Sequence, residues 1–536
     1  LRRTLDAMGY FKLNVLHIHL SDDQAFRFLG TSFPELASPG HYTALELTAL
    51  VAYAADRGVR VVPELDVPGH TTSWLLAHPE WGSGSEVSAS LSFGPHETVL
   101  DPTSSEVMDV LEQIFGEIAE IFPDEYVHFG GDEVRSSEWR SSASIQNYMR
   151  AQKIDDTDGL QAAFNRQLIC TLEGLGKYPV GWDEVLHPNL PDNVVIQCWR
   201  GMHGRDEALR AGYDCVVSAP YYLDLFMPAG VHYQYDPEAE GIDPGRLDGR
   251  LRSDPRFAHV VGDIGWGKGF TDYPELATPE AGRLLGGEAC IWSELVTDEL
   301  LDRRVWSRMP AIAERFWSDR DIRDEVDMYR RLENQLVRLE QLYGINAMSD
   351  RDMLNAPGLT PLIDMLEPVK GYTRILGKEL SVARREGHDV TQIKRPYSTD
   401  TSLDRVVDLI APESAATRHF GEALKADEDT SGWTAGWRSQ HRTLLGLLPK
   451  RPELGELDPA LDRHCRGARD LPRIPDHRGG GRVGGDECSK LTFDGHNGSL
   501  LTTFNGPTRL STTNRHRTYS GGSYHSPPGT GLMTLR

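Results

Sequence analysis

Short apolar runs alternate with longer segments of helical period from the start of the chain to about residue 320. A helix repeats apolar residues every three or four positions, whereas a strand buried on both faces is a short continuous apolar run. Alternation of the two is typical of β-α units repeated around a parallel sheet. Seven runs are predicted to be strands, at residues 13–19, 59–65, 126–129, 178–182, 193–198, 213–218 and 285–292.

The helix that follows Thr103 has the clearest period. Thr103 and Glu106 have the spacing of a capping box, in which each side chain satisfies a backbone N–H of the other residue. We therefore expect this helix to begin at Thr103 and to pack on the outside of the sheet. Its apolar stripe consists of Val107, Leu111, Ile114, Ile118 and Phe122.

A closed barrel of eight strands needs one strand more than these seven runs supply. Residues 1–8 already have the pattern of the helix before the first run, so the missing strand is expected to precede Leu1. The predicted fold class is thus α/β, a (β/α)8 TIM barrel lacking its first strand. The barrel domain is assigned to residues 1–345 and a small helical C-terminal domain to residues 346–448.

The character of the chain changes after Lys450. Residues 449–536 are first rich in Arg, Pro and Gly and then in Ser, Thr and Gly, with few apolar anchors. Such a composition predicts an irregular tail of low order. A reading-frame error in the source sequence would produce the same abrupt change, and both interpretations stay open.

Charge limits the class of partner. Across 536 residues, 56 Lys and Arg oppose 80 Asp and Glu, which gives a formal net charge of -24. Such a surface repels phosphate backbones, so no nucleic-acid partner is expected. No apolar stretch reaches the roughly 20 residues of a membrane span. The acidic surface favours a periplasmic or secreted protein and leaves the oligomeric state open.

Polar and aromatic residues follow nearly every predicted strand. In a parallel barrel the carboxyl ends of all strands open on one face. A single Asp at such a position is more often a helix cap or a loop carboxylate, but seven tips on one rim predict a deep acidic pocket walled with tryptophan. That combination suits a sugar, whose ring faces stack on indole while its hydroxyls bond to carboxylates. The tip residues are His17, His19, Ser21, Asp22, Asp23, Glu64, Asp66, His70, His128, Asp132, Glu133, Trp182, Asp183, Glu184, Trp199, Arg200, Tyr222, Asp224, Glu288, Trp292 and Glu294.

The adjacent carboxylates Asp132 and Glu133 constrain the chemistry. Retaining glycosidases usually place two carboxylates about 5 Å apart on opposite sides of the scissile bond. Neighbours that leave one strand tip cannot easily straddle a sugar ring. One of the two can serve as a general acid, and the nucleophile must come from another strand or from the substrate. Gly130 and Gly131 precede the pair and allow a sharp turn close to a ligand.

Eight motifs, in this order, resemble glycoside hydrolase family 20, the β-N-acetylhexosaminidases, over about residues 1 to 320. They are KLNVLHIHLSDDQAFR at 12–27, VVPELDVPGH at 61–70, HFGGDEV at 128–134, VGWDE at 180–184, IQCWRG at 196–201, YYLD at 221–224, GGEACIWSE at 286–294 and AIAERFWS at 311–318. The resemblance implies removal of terminal, nonreducing, β-linked N-acetylglucosamine or N-acetylgalactosamine from oligosaccharides or glycoconjugates. It implies a retaining, substrate-assisted mechanism without metal or organic cofactor.

The resemblance also implies roles for individual residues. Glu133 is expected to be the general acid/base, with a raised pKa. Asp132 is expected to orient the 2-acetamido group, whose carbonyl oxygen attacks the anomeric carbon, and Tyr222 to hydrogen-bond that group. Asp22 and His70 would support Glu133. The remaining expected site residues are Asp66 beside that pair, Trp182, Trp199 and Trp292 around the acetamido methyl and the ring, and Asp224 and Glu294 at the sugar hydroxyls.

Two features depart from the family pattern. The family's first strand carries an arginine that clamps sugar hydroxyls, and nothing matches it here, because Arg2 and Arg3 belong to the following helix. A further pocket tryptophan often follows the YLD motif, and here only Tyr233, Tyr235 and the more distant Trp266 are candidates. An alternative function is therefore a catalytically impaired fragment that only binds N-acetylhexosamine glycans.

The pair His17-x-His19 at a strand end permits a different interpretation. It resembles the zinc-binding pair of amidohydrolase barrels. That site needs further histidine ligands on later strands, and His128 does not point an obvious set at the same place. A hydrogen-bonded scaffold role for His17 and His19 is the favoured alternative, and no metal is expected.

Overall fold

The computed structural model describes residues 1–84, 86–238, 282–348, 359–368, 370–371, 395–451 and 530–535, with single positions 374, 377, 380, 383 and 454. Its centre is a closed barrel of eight parallel strands, as the alternating pattern predicts. The strands are β1 (Val15–His19), β2 (Ser21–Asp22), β3 (Ala25–Phe26), β4 (Phe28–Leu29), β5 (Tyr42–Thr43), β6 (Arg60–Glu64), β7 (Tyr126–His128), β8 (Tyr178–Trp182), β9 (Val195–Cys198), β10 (Cys215–Val217), β11 (Leu284–Ile291) and β12 (Thr530–Leu535).

The barrel order is β1-β12-β11-β10-β9-β8-β7-β6, and β2–β3 and β4–β5 form two small separate pairs. Every predicted run contains one barrel strand, displaced by no more than about two residues at either end. Buried parallel strands are continuous apolar runs, and this is why the sequence located them so closely.

The eighth barrel position is filled from the far end of the chain. Strand β12 lies between β1 and β11, with Val15 opposite Leu532 and Ile291 opposite Leu535. The seven predicted strands leave this position empty, and the composition of 530–535 predicts an irregular tail, whereas in the structure these six residues form a strand. Among the described residues, the short run TGLMTL pairs with two strands that are distant in sequence, a kind of pairing that local patterns do not predict. The rest of the tail beyond residue 454 lies outside the described residues.

Helices surround the barrel and continue beyond it. Among the described residues they are α1 (Arg2–Phe11), α2 (Ala44–Ala55), α3 (Thr72–Ala77), α4 (Ser105–Ile121), α5 (Ser137–Ser141), α6 (Ala143–Gln152), α7 (Thr157–Gly174), α8 (Met202–Arg210), α9 (Ala229–Gln234), α10 (Asp298–Trp306), α11 (Met309–Trp317), α12 (Glu325–Tyr343), α13 (Thr360–Ile363), α14 (Val406–Leu409), α15 (Ala415–Lys425) and α16 (Ser431–Leu447). Short 3₁₀ turns occur at Pro34–Leu36, Pro79–Trp81, Asp183–Val185, Ala219–Tyr221 and Leu223–Leu225. No helix in these parts of the chain is both long and apolar enough to cross a bilayer.

Helix α4 shows how the core is built and where the sequence misplaced a cap. All five residues of its predicted apolar stripe are buried in the main core. The helix is capped by Ser104, whose Oγ accepts the Val107 N–H at 3.3 Å, and not by Thr103. Thr103 is held by the preceding turn, because its hydroxyl donates to Asp101 Oδ1 at 2.7 Å. The predicted capping box at Thr103 is therefore wrong by one residue.

The helices after residue 346 contact the barrel through buried arginines. The Arg304 guanidinium donates to the backbone oxygens of Asp408 at 2.5 Å and Ile410 at 3.3 Å. Residues 395–403 run back to the barrel rim, where the Thr399 N–H donates to Leu91 O at 2.9 Å. The helical region thus reaches the face on which the strand ends open.

Candidate active site

One side of the barrel mouth carries what we call the acid arm, formed by Asp22, His70, Asp132 and Glu133. Asp22 follows β1, His70 follows β6, and the two carboxylates follow β7. His70 Nδ1 lies 3.1 Å from Asp22 Oδ1, and His70 Nε2 lies 3.9 Å from Asp132 Oδ2 and 3.7 Å from Glu133 Oε2. One imidazole therefore bridges the carboxylate behind it and the two in front of it.

Backbone geometry aims these groups into the mouth. His70 and Glu133 both adopt positive φ, at 54° and 48°, which reverses the chain direction at each residue. The turn before Glu133 depends on glycine at position 130. The Cβ atom of any other residue there would lie only 1.7 Å from Asp66 Oδ1. Asp66 Oδ1 accepts the Gly131 N–H at 2.9 Å. Asp66 thus fixes the loop that presents the adjacent pair.

Burial and neighbouring charge set the protonation of the acid arm. Burial alone would lower the pKa of His70, but Asp66, Asp132, Asp23 and Glu133 outweigh it and raise that pKa to about 10. The imidazole is thus a cation at neutral pH. Burial also raises the pKa of Glu133 above its usual value, against the opposing charge of His70. A carboxyl group that holds its proton is suited to general-acid catalysis.

Aromatic rings form the opposite side of the mouth, here called the aromatic wall, made of Trp182, Trp199, Tyr222 and Trp292. The ring centroids of Trp182 and Trp292 are 5.5 Å apart, those of Tyr222 and Trp292 are 6.1 Å apart, and those of Trp199 and Tyr222 are 6.3 Å apart. Trp182 is buried, whereas Trp199 and Trp292 are half-buried. The wall is therefore one continuous apolar surface with accessible indole faces, as stacking under a sugar ring requires.

Two further carboxyl groups stand beside the aromatic wall. Asp224 Oδ2 accepts the backbone N–H of Trp292 at 2.8 Å. Burial raises the pKa of Asp224 to about 7, although the Trp292 backbone bond opposes the shift. Burial and the charge of Asp224 raise the pKa of Glu294 to about 8. Glu294 Oε2 is buried without a hydrogen-bond partner among the described residues, so it has unused capacity for a polar ligand.

All eleven residues singled out from the sequence therefore lie at one barrel mouth and are linked through contacts, hydrogen bonds or neighbouring charges. Residues 1–320 match the glycosyl hydrolase family 20 catalytic domain. The chain is 35% identical over 337 residues to the beta-hexosaminidase subunit beta of Entamoeba histolytica, covering 60% of this chain and 57% of that protein.

The human beta-hexosaminidase subunit beta is 33% identical over 355 residues, covering 63% of this chain and 57% of that protein. The crystal structure of the Flavobacterium johnsoniae chitobiase matches with a TM-score of 0.73 at 30% identity, over 88% of this chain and 68% of that one. The chain belongs to glycosyl hydrolase family 20. It spans 57% of the length of each of these two curated relatives.

The closing strand β12, TGLMTL, contains no arginine that matches the family's first-strand arginine. Arg2 and Arg3 lie in α1, as expected, and Arg3 Nη2 pairs with Asp302 Oδ2 at 2.8 Å on the barrel exterior. Tyr233 and Tyr235 are buried at α9, where the Tyr233 hydroxyl donates to Glu314 at 2.6 Å. Trp266 lies outside the described residues. The additional pocket tryptophan of the family pattern therefore stays unassigned.

The contacts of His17 and His19 fit the scaffold interpretation. His17 places Nε2 3.0 Å from Glu64 and Nδ1 3.1 Å from Glu288. His19 places Nδ1 2.7 Å from Glu64 and Nε2 3.3 Å from Asp22. Both nitrogens of each ring thus face carboxylate oxygens at hydrogen-bond distance, as a buried hydrogen-bonded scaffold requires. The ligand atoms of His17, Glu64 and His128, and those of His19, Glu64 and Asp66, also lie within 4.8 Å of one another.

Three acidic residues noted only as strand-end groups join this family 20 site in the structure. Glu64 and Glu288 are fully buried inside the barrel beneath the mouth. Glu184 stands near the acid arm, and burial raises its pKa to about 8. Glu64 and Glu288 are each an acidic residue inside an otherwise apolar predicted strand. This position alone indicates buried polar partners, because a buried charge without them is costly.

Proposed function

We propose that this family 20 chain removes terminal, nonreducing β-linked N-acetylglucosamine or N-acetylgalactosamine by a retaining, substrate-assisted mechanism. The observation that carries the proposal is the position of His70, a cation that faces Glu133 Oε2 at 3.7 Å with Asp22 behind it. Glu133 would protonate the glycosidic oxygen and later activate water, and the His70 cation would stabilise the carboxylate formed between these steps.

The protonation of neighbouring carboxyl groups supports the substrate itself as nucleophile. A carboxyl group is a nucleophile only when ionised. Burial raises the pKa of Glu184 and of Glu294 to about 8, so these two groups are mostly protonated and are poor nucleophiles near neutral pH. Asp224, whose pKa burial raises to about 7, is instead engaged through Oδ2 by the Trp292 backbone N–H. The acetamido oxygen would then attack the anomeric carbon, with Asp132 holding the acetamido nitrogen and Tyr222 its oxygen.

The aromatic wall supports recognition of the sugar. Trp182, Trp199 and Trp292 would enclose the acetamido methyl group and the ring face, where apolar contact excludes water. Asp224 and Glu294, which retain protons to about pH 7 and about pH 8, would donate and accept hydrogen bonds at the sugar hydroxyls. Asp66 would hold the Gly131 loop that carries Asp132.

The test is release of nitrophenol from the β-N-acetylglucosaminide, beside the plain β-glucoside and with a chelator present. We expect turnover of the first substrate only, at a rate indifferent to chelator, because the acetamido group takes part in the reaction. Equal turnover of the plain glucoside would contradict the substrate-assisted step. Saturable binding of N-acetylglucosamine without nitrophenol release would instead identify a glycan-binding protein.

We also propose that the protein works in a periplasmic or secreted location, on the basis of its net charge of -24. Fractionation of source cells, followed by the same nitrophenol assay, should place the activity outside the cytoplasm. Activity confined to the cytoplasmic fraction would overturn this proposal and leave the enzymatic one intact.

A further inference from the structure

Beneath the acid arm, one buried carboxylate on β6 contacts side chains from three other barrel strands. Glu64, on β6, is 0% exposed. Its Oε2 lies 3.0 Å from His17 Nε2 and 2.7 Å from His19 Nδ1, both on β1. Its Oε1 accepts the Trp182 indole N–H at 2.8 Å and lies 3.1 Å from His128 Nδ1. Glu64 is thus the centre of a polar cluster on the barrel floor.

A line of alternating carboxylates and imidazoles connects this cluster to the mouth. From Glu64 it passes to His19 Nδ1, and from His19 Nε2 to Asp22 Oδ2 at 3.3 Å. Asp22 Oδ1 then faces His70 Nδ1 at 3.1 Å. His19 also packs edge-on against Trp292, with ring centroids 5.3 Å apart and planes at 84°. One imidazole therefore touches both the acid arm and the aromatic wall.

We propose that Glu64 is a positioning residue for the acid arm, holding His19 so that His19 in turn holds the Asp22 carboxylate against His70. The inference rests on the proposed function, since it assigns Glu64 a part in setting the state of Glu133. Glu64 touches neither Glu133 nor His70 in the described contacts and acts only through His19 and Asp22.

The two nitrogens of one imidazole explain why the link transmits orientation. When a carboxylate fixes the proton and direction of one ring nitrogen, the other nitrogen is fixed as well. His19 lies between the Glu64 and Asp22 carboxylates. If both ring nitrogens carry protons, each donates to a carboxylate; if one nitrogen is unprotonated, its lone pair faces a carboxylate oxygen and repels it. An ionised Glu64 favours the doubly protonated ring, and that ring donates to Asp22.

The surroundings of Glu64 keep it ionised. Burial alone would raise the pKa of Glu64, but His128, His19 and His17 outweigh burial and hold that pKa well below its usual value. Burial would likewise lower the pKa of His17, but Glu288 and Glu64 raise it to about 10. The charged or titratable groups that face Glu64 or His70 are His17, His19, His128, Asp22, Asp23, Asp66, Asp132 and Glu133.

The test replaces Glu64 by Gln, which keeps the shape of the side chain and removes its charge. We expect kcat to fall about tenfold or more while KM stays within about twofold, because positioning affects the reaction step and not the sugar contacts. The His70 imidazole, followed by NMR with carbon-13 histidine and assigned with His70→Gln, should titrate about one pH unit lower, because Asp22 no longer faces it squarely.

A matched control is Glu35→Gln. Glu35 also contacts an imidazole, His78 Nε2 at 2.8 Å, but the pair lies outside the barrel and is partly exposed. This variant should leave kcat, KM and the His70 titration unchanged. A His70 midpoint in Glu64→Gln equal to that of the parent protein would overturn the inference, even if thermal stability fell.

A second variant covers the case in which Glu64→Gln does not fold. His19→Gln removes the imidazole that transmits the contact and leaves Glu64 in place, so kcat should again fall about tenfold or more with KM within about twofold, and the His70 midpoint should move. An unchanged midpoint in that variant would also overturn the inference. Because the titration is read without substrate, an inactive parent protein would contradict the proposed function while the NMR result still decides the role of Glu64.

Discussion

The two sides of the barrel mouth manage buried acidic groups in opposite ways. On the acid arm, a histidine cation with a pKa of about 10 stands beside Asp22, Asp132 and Glu133 and opposes the rise that burial causes in the pKa of Glu133. Beside the aromatic wall, burial raises the pKa of Asp224 to about 7 and of Glu294 to about 8, so both groups are mostly protonated below about pH 6. The first arrangement suits proton transfer, whereas the second suits hydrogen bonding to neutral hydroxyls.

The largest effect is expected at the acid itself. Glu133→Gln removes the transferable proton but keeps the shape of the side chain, so kcat on the nitrophenyl N-acetylglucosaminide should fall about 10²- to 10⁴-fold. Binding of N-acetylglucosamine, measured by calorimetry, should persist because the aromatic wall is untouched. Glu125→Gln, at a carboxylate whose side chain is 57% exposed, is the matched control and should be neutral. Activity of Glu133→Gln within about tenfold of the parent would remove Glu133 from the acid role.

Loss of the cation should have the next largest effect. His70→Gln removes the charge that favours the Glu133 carboxylate, so the pKa of Glu133 should rise further. We expect kcat to fall about 10- to 100-fold and the alkaline limb of the kcat/KM profile to move to higher pH. A limb that stays in place, or one that moves to lower pH, would show that His70 does not act on Glu133 by its charge.

The wall side should respond through binding and only at high pH. Asp224→Asn and Glu294→Gln mimic the protonated groups, so near pH 6 the KM of either variant should stay within about threefold of the parent value. Above about pH 8 both carboxyl groups of the parent protein ionise, so the KM of the parent should rise. In each variant one of these groups no longer ionises, so the KM should rise less. Large changes in kcat for these variants at pH 6 would contradict the assignment of sugar binding to the wall side and of proton transfer to the acid arm.

The smallest expected effect is on the pH dependence of stability. The folded-state pKa of Glu294 is about 8, against an ordinary 4.5, so the free energy of unfolding should fall as pH rises between these values. His70, with a folded-state pKa of about 10 against an ordinary 6.5, should contribute stability that is complete below pH 6.5 and lost as pH rises through 10. Urea unfolding should therefore show Glu294→Gln flattening the lower range and His70→Gln the upper one. The reverse assignment would contradict the comparison of the two sides.

Local patterns carried most of what the sequence could predict. The strands were found because each is a short apolar run, and the strand-end side chains were expected on one face because the strands of a parallel barrel all end there. The cap at Ser104 was missed because Asp101 engages Thr103, a contact that spacing alone does not reveal. The four contacts of Glu64 were missed because they join β1, β7 and β8 to β6, and such non-local pairs leave no periodic trace.

The closing strand β12 has a consequence for how the molecule folds. Seven barrel strands lie within the first 291 residues, but the ring closes only when 530–535 pairs with β1 and β11. This closure brings together segments that are far apart in sequence. The chain therefore loses conformational entropy before the contacts of β12 can stabilise the barrel. We therefore expect seven strands to assemble first as an open, curled sheet with exposed edges at β1 and β11. Pulse-labelling hydrogen exchange during refolding should show β12 amides protected last, and early protection of β12 would reverse this order.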